Sequence, residues 1–496
     1  AIIPTPVYLD AGQISLHANY NVDDVSLVGS SNSFWVSPFK LIVTAKSEGN
    51  NINGSSHNSE TIHKAGQPFK FTVTAVNSRG NVTQNYQPNN NEIELLLTRT
   101  GPSEGGFDGY FNYGNGTIFS ALGIANPTYQ STTLTAFNAG ISTTDSASYS
   151  EVGLLYLDLR DVDYGFLGNT IEGDAIDIGR FTPDHFDVSI TSNSFEDTCT
   201  VVAVGQPDFT YIGQPFSYLN APELLITAKN TLGIITQNYT EVDYQKLIDS
   251  NIDITFPEKD TTQKGTDNNT EMVVSPLVTS GTLTTPASSL GEMKYTFNDS
   301  DTFTYDKDAN SKTAPFTMVY DIVVNAIQDS DGVNANASLV ANVPTSNTVS
   351  PTGVNFRFGR AYLANSFGPE TANLPQPFFM QFYNLSGKFV TNADDNCSSF
   401  DTSNIRLTSG TLDKDLTGVN AATGQVGHGE TRGMILTAPG AQGTVKVEYD
   451  IYDWLKYDWD WDGVEAKAFN QAPTAVATFG IFRGNDRIIY QREIHN

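Results

Sequence analysis

In the stretch FKFTVTAV, Phe69, Phe71, Val73 and Ala75 alternate with Lys70, Thr72 and Thr74. A period of two is the signature of a strand with one buried face. NSRGN follows, with Gly80 placed where a tight turn asks for positive φ, and VTQNY resumes the extended pattern. FKLIVTA, FDVSIT, EIELLLT, GLLYLDL and TVKVEYDIYDW read the same way. Helical periodicity is nearly missing; DYQKLIDS, around Leu247, is the best short helical candidate. Many short strands joined by Gly, Asn and Pro turns predict an all-β chain of immunoglobulin-like β-sandwiches.

The pattern repeats. AGQPFKFTVTAVNSRGNVTQNY begins at Ala65, and IGQPFSYLNAPELLITAKNTLGIITQNY begins at Ile212. Gly66, Pro68 and Phe69 lie 147 residues before Gly213, Pro215 and Phe216. The same offset relates Phe34, Phe39, Thr44 and Ser47 to Phe181, Phe186, Thr191 and Ser194. After an insertion of six residues, SYLNAP, the offset is 153, and Asn77, Gly80, Asn85 and Tyr86 match Asn230, Gly233, Asn238 and Tyr239. A fainter third copy, LPQPFFMQFYNLSGKFVTN, places Asn384, Gly387 and Asn392 at 307 beyond Asn77, Gly80 and Asn85. A period this long makes each repeat a whole domain. Tandem immunoglobulin-like β-sandwich domains are therefore expected, about three, with extra hairpins: 34–180, 181–354 and 355–496. The head of the chain differs. DAGQISLHANYNVDD resembles the end of a unit, EVGLLYLDLRDVDY, more than its start. Residues 1–33 read either as closing strands of an upstream unit or as a strand that docks on the first domain, the alternative being a simple N-terminal extension. The opening AIIPTPVYLDAG lacks a leader pattern, as expected after leader removal or for a start inside a longer protein.

The 496 residues carry a net charge of −28. Such a surface repels nucleic acid and anionic membranes, so neither is expected as a partner. No apolar run is long enough for a helical membrane span. Two cysteines, Cys199 and Cys397, cannot form a CxxC-type metal site; they are either one disulfide, which would suit an exported protein, or two free buried thiols.

Catalytic patterns are missing from the sequence: no HExxH, no GxSxG elbow, no phosphate loop, no dinucleotide fingerprint. His57 and His63 fall in a polar loop, and His185 and His428 read as structural. The expectation is a protein that is not an enzyme, the alternative being a glycosidase or peptidase with a site between domains. The acidic strings are more informative. DWLKYDWDWDGVEAKAF places Asp458, Asp460 and Asp462 at alternate positions before Gly463. Carboxylates spaced so, with a Gly at the turn, can wrap calcium. Phe469 stands at the twelfth position, where a helix-loop-helix site needs Glu, leaving Glu465 as the substitute. Asp161 with Asp163, and Asp329 with Asp331, are weaker candidates of the same kind, the alternative being solvated acidic turns. Trp454, Trp459 and Trp461 beside the loop suit stacking on a sugar ring. The rival reading, which the alternation favours, turns Trp459 and Trp461 toward the core.

YDWDWDG and ATFGIFRGNDRIIYQRE, with FRFGRAYLANSFG, FVTNADDNC, PDHFDVSIT, FTYIGQPF and TQNY, resemble the C-terminal region of MshQ-like proteins. These belong to the mannose-sensitive haemagglutinin type IV pilus system of Gram-negative marine bacteria, and the region is a domain of unknown function. The resemblance covers about residues 34–496. It implies an extracellular protein at the bacterial surface, associated with a pilus, with pilus or other cell-surface proteins as partners and surface glycans as candidate ligands. It brings no catalytic residues. In relatives Gly more often stands where this chain has Trp461, and a lectin-like sandwich often precedes the region; none lies within these 496 residues.

Overall fold

Side chains that alternate along a strand need a second layer to cover the apolar face. The computed structural model supplies that layer three times. It describes residues 5–480 apart from 61, 104, 115, 117, 121–126, 167, 192, 201–206, 265–270, 289, 308–311, 336–347 and 460–468. The described residues form strands joined by turns, with only short 3-10 segments. The protein is all-β, a tandem array of immunoglobulin-like sandwiches.

In the first unit, Lys40–Ser47 pairs antiparallel with Phe69–Val76, which pairs with Ile141–Tyr149. The opposing layer joins Glu92–Gly101, Gly153–Asp161 and Ile176–Thr182. Phe69, Phe71, Val73 and Ala75 are all buried, facing Leu95, Leu157 and Ile178 across the core. Each large apolar side chain removed from water contributes about 1.5–3 kcal/mol. The second unit is built on His185–Ile190, Glu223–Lys229 and Glu292–Thr296, with Phe216–Asn220, Thr302–Tyr305 and Glu271–Leu277 opposite. In the third, Gly359–Leu363, Leu374–Tyr383 and Glu430–Leu436 face Ile405–Ser409, Gly443–Tyr449 and Thr474–Phe479.

The repeated turn is the same structure in each unit. Asn77, Asn230 and Asn384 each receive through Oδ1 the N–H groups two and four residues on, at 2.9–3.1 Å. Gly80, Gly233 and Gly387 follow at φ +79°, +76° and +71°, a region in which a Cβ is strained.

Two sequence expectations need correction. The register sets Lys40 opposite Val76 and His185 opposite Lys229. The equivalent of Phe186 is therefore Leu41, at an offset of 145, and not the exposed Phe39. A slip of two residues keeps every side chain on its own face, so the apolar pattern cannot detect it. DYQKLIDS forms no α-helix either, only a 3-10 turn at Asp249–Asn251: Leu247 is buried, and its N–H donates to the Tyr239 hydroxyl at 3.0 Å.

Candidate functional site

The acidic turns have structural partners. Tyr86 donates its hydroxyl to Asp161 at 2.8 Å, and Tyr239 donates to Asp329 at 2.8 Å. These are the matched tyrosines of the repeat, and both pairs are buried. Burial raises the pKa of both carboxyls, partly offset by the tyrosine and backbone donors. Asp161 also accepts from the Asp163 N–H, and Asp329 from those of Asp331 and Val333. Asp163 caps the Gly168 N–H at 3.1 Å. Asp331 takes both guanidinium nitrogens of the buried Arg180, which comes from the last strand of the first unit.

Among the described residues no three His, Cys, Asp or Glu side chains converge as a metal centre requires. Asp458 is buried. Asp460, Trp461, Asp462 and Glu465 lie outside the described residues. Trp459 turns inward, against Tyr362 and Tyr457, with the Arg360 guanidinium 4.8 Å from its ring centre. Trp454 stacks on Tyr452, centroids 4.6 Å apart and planes 5° from parallel. This pair walls a cleft of about 410 Å³ that also presents Ser399, Asp401, Asp450 and Lys456. Lys456 sits 3.3 Å from Asp450 and 2.8 Å from Asp453. A larger cavity, about 880 Å³, lies between the first two units, lined among others by His63, Lys64, Asp184, His185 and Asp331. His63 itself is buried against Phe69 and Phe181, and desolvation lowers its pKa.

The densest polar chemistry lies at the unit junctions, where sequence reasoning placed only the candidate Cys199–Cys397 bridge. At the first, Glu151 is 2% exposed and accepts the N–H groups of Gln237 and Asn238 at 2.9 and 3.1 Å. Burial pushes its carboxyl up to about 7, against the backbone donors and Arg99, which favour the charged form. Asn238 answers across the joint. Its Oδ1 accepts from the Phe107 N–H at 2.6 Å, and its Nδ2 donates to the carbonyls of Phe107 and Val152. Arg99 supports the Phe107 loop by donating to Pro102, Gly105 and Asp108. At the second junction the half-buried Lys307 donates to the carbonyls of Gly359, Trp454 and Lys456 at 2.6–2.7 Å. Desolvation, then the charge of Arg360, lower its pKa. Tyr211 enters the core of the third unit and donates to Asp395 at 2.7 Å. Cys199 and Cys397 are joined, Cα atoms 5.6 Å apart, so the same junction is covalently closed. Repetition was the available signal for Asn238; Glu151 and Lys307 gave none, because their partners are remote in sequence.

Fold and junctions together define a tandem array of β-sandwiches joined by buried polar contacts and a disulfide. The chain belongs to the DUF6701 family: its second, third and fourth domains match residues 37–136, 151–353 and 357–494. No curated protein matches the sequence. Among solved structures it is similar to FdeC, an Escherichia coli adhesin, at 11% identity and TM-score 0.28, covering 88% of this chain and 96% of that one. It is also similar to a tetra-tandem repeat from the extending region of a large adhesion protein, at 13% identity and TM-score 0.26, covering 94% and 81%. Invasin, a bacterial integrin-binding protein, matches at 10% identity and TM-score 0.23, covering 82% of this chain and 56% of its own. Likeness at these scores carries no argument about activity.

Proposed function

We propose that the chain is a non-enzymatic structural and adhesive element of a bacterial surface appendage, and that the appendage is a type IV pilus of the mannose-sensitive haemagglutinin kind. The observation that carries the first part is the construction of the joints. Buried side chains with multiple hydrogen bonds and a disulfide hold successive sandwiches at fixed angles, as a load-bearing spacer requires. The pilus assignment rests on the C-terminal resemblance. The disulfide fits the oxidising exterior implied by a surface location. The test is shear fractionation of cells. The chain is expected in the sheared surface fraction, and is expected to leave it when pilus assembly is disabled. Recovery from the cytoplasm would refute the surface assignment; retention in the sheared fraction without pili would refute the pilus link alone.

A second reading is a calcium-dependent lectin, favoured by the stacked Tyr452–Trp454 pair on its cleft. Asp458, Asp460, Asp462 and Glu465 are its candidate calcium ligands. A glycan array run with calcium and with EDTA decides it: binding that EDTA and Trp454→Ala both abolish supports the lectin, and a blank array rejects it.

A further inference from the structure

Residues 9–36 stand ahead of all three family domains, yet they touch the first unit as the end of the first unit touches the second. Leu9 accepts the Asn77 Nδ2 at 2.8 Å; Ser150 accepts the Nδ2 of the matched Asn230 at 3.1 Å. The Asp10 carboxylate receives the Asn85 N–H at 2.9 Å, and Glu151 receives that of the matched Asn238 at 3.1 Å. Ala11 is 1% exposed inside the core of the first unit, and Val152 is 2% exposed inside the core of the second. Gly12 and Gly153 follow at φ +129° and +134°. Each opens an antiparallel pairing, Gly12 with Val36 and Gly153 with Phe181. Asp10-Ala11-Gly12 is thus the structural counterpart of Glu151-Val152-Gly153.

The strands beyond these glycines differ in one respect. Gly153–Asp161 has neighbours on both sides, Glu92–Gly101 and Ile176–Thr182, and Leu155, Leu157 and Leu159 are fully buried. The N-terminal ribbon has only itself. His17–Val22 pairs with Val25–Ser30, and no other described strand joins it. Its cross-strand pairs Tyr20–Leu27 and Val22–Val25 put an apolar row on one face; Asn19 and Ser26, hydrogen-bonded at 2.7 Å, lie on the other. Tyr20, Val25 and Leu27 are 66%, 60% and 59% exposed. An isolated two-stranded ribbon is marginal in water, and an uncovered apolar face on a strand pair marks a contact surface.

We infer that residues 10–36 are the closing ribbon of a further sandwich of this same build, whose remaining strands cover the face bearing Leu16, Tyr20, Val22, Val25 and Leu27. The occupant follows from the equivalence of the joints: behind the matched tripeptide of the first unit lies the body of that unit. The surface is therefore the inner face of an incomplete sandwich, filled by strand addition along the free edge that corresponds to the Glu92–Gly101 pairing.

Single cysteine reporters test it. Leu27→Cys lies on the proposed inner face and Val28→Cys on the opposite one. In the 496-residue chain both should react with a maleimide at similar rates. In the intact polypeptide isolated from cells, Leu27→Cys should slow by about tenfold or more while Val28→Cys stays fast, and amide exchange at Tyr20 and Leu27 in the unsubstituted protein should slow in step. Equal reactivity at both positions in the intact polypeptide, fast or slow, overturns the proposal. A second arm needs only the 496 residues. Asp10→Ala should speed exchange at the Asn85 amide as Glu151→Ala does at Asn238, and an unchanged Asn85 would remove the equivalence of the joints.

Discussion

Asn85 and Asn238 occupy the same place in two TQNY strings, and the structure gives them different work. Asn238 is fully buried and makes three side-chain hydrogen bonds across the first junction, to the Phe107 N–H and to the Phe107 and Val152 carbonyls. Asn85 is exposed, and its recorded contact runs through its backbone N–H to Asp10. Asn238→Ala leaves three polar groups of the first unit without partners. At about 1 kcal/mol each, the low end for a stranded buried group, the junction should lose about 3 kcal/mol. Under conditions where exchange reports the opening equilibrium, that is an increase of roughly 150-fold in the exchange rate of the Gln237 and Asn238 amides. Asn85→Ala should change the exchange of its own region by less than about threefold. Amide exchange read by mass spectrometry suits a chain of several units, because one global unfolding free energy is not defined for it. An Asn238→Ala protein whose junction exchanges within threefold of the parent, or an Asn85→Ala protein equally affected, would refute the reading of the joint.

Tyr86→Phe and Tyr239→Phe each remove the donor to a buried carboxylate and should each destabilise their own unit by about 1.5–3 kcal/mol, measured by urea unfolding of that unit; two values below half a kilocalorie would dismiss the pairs as incidental. Breaking the Cys199–Cys397 link, which spans 198 residues, should cost the second junction about 2–5 kcal/mol, seen as a lower urea midpoint under reducing conditions. Glu151 has a folded pKa of about 7 against a reference of 4.5, so its protonated form is favoured in the fold. The junction should be firmest below pH 4.5 and weaken as pH rises through 7, by up to about 3 kcal/mol; a protection factor at Asn238, corrected for the intrinsic exchange rate, that is flat with pH, or unaltered in slope by Glu151→Gln, speaks against it. Millimolar calcium should raise the melting temperature of the third unit if the Asp458–Asp462 loop binds it, and Asp460→Ala should abolish the response.

The strands, the sandwich class and the Asn–Gly turns were legible because each is written locally, in a period of two or in a fixed spacing. The register of the first strand was not, since Phe39 and Leu41 share a face and only the pairing with Val76 and Ala75 separates them. The acidic turns show another limit. Asp161 and Asp163 look like Asp329 and Asp331 as strings, and the first Asp of each pair serves the same tyrosine. The second diverges: Asp163 caps a turn, while Asp331 is held by Arg180, 151 residues earlier. No spacing rule reaches that far.

The joints also match each unit to its neighbour. Gly66 donates to the Tyr149 carbonyl and Gly213 to that of Tyr305, so Tyr149 and Tyr305 are equivalent and the residues two beyond them, Glu151 and Lys307, face the following unit from the same place. Glu151 is an acceptor and meets two N–H groups; Lys307 is a donor and meets three carbonyls. The carbonyls that meet Lys307 would offer the Glu151 carboxyl no donors, and the N–H groups that meet Glu151 would offer Lys307 no acceptors. A buried polar group left without its complement costs about 1–3 kcal/mol. Asp10 carries the same sign as Glu151 and meets the same kind of donor on the first unit. The first and second units therefore accept one class of predecessor and the third accepts another. The inversion from acceptor to donor makes each joint complementary to its own neighbour, a distinction that the shared fold alone does not carry.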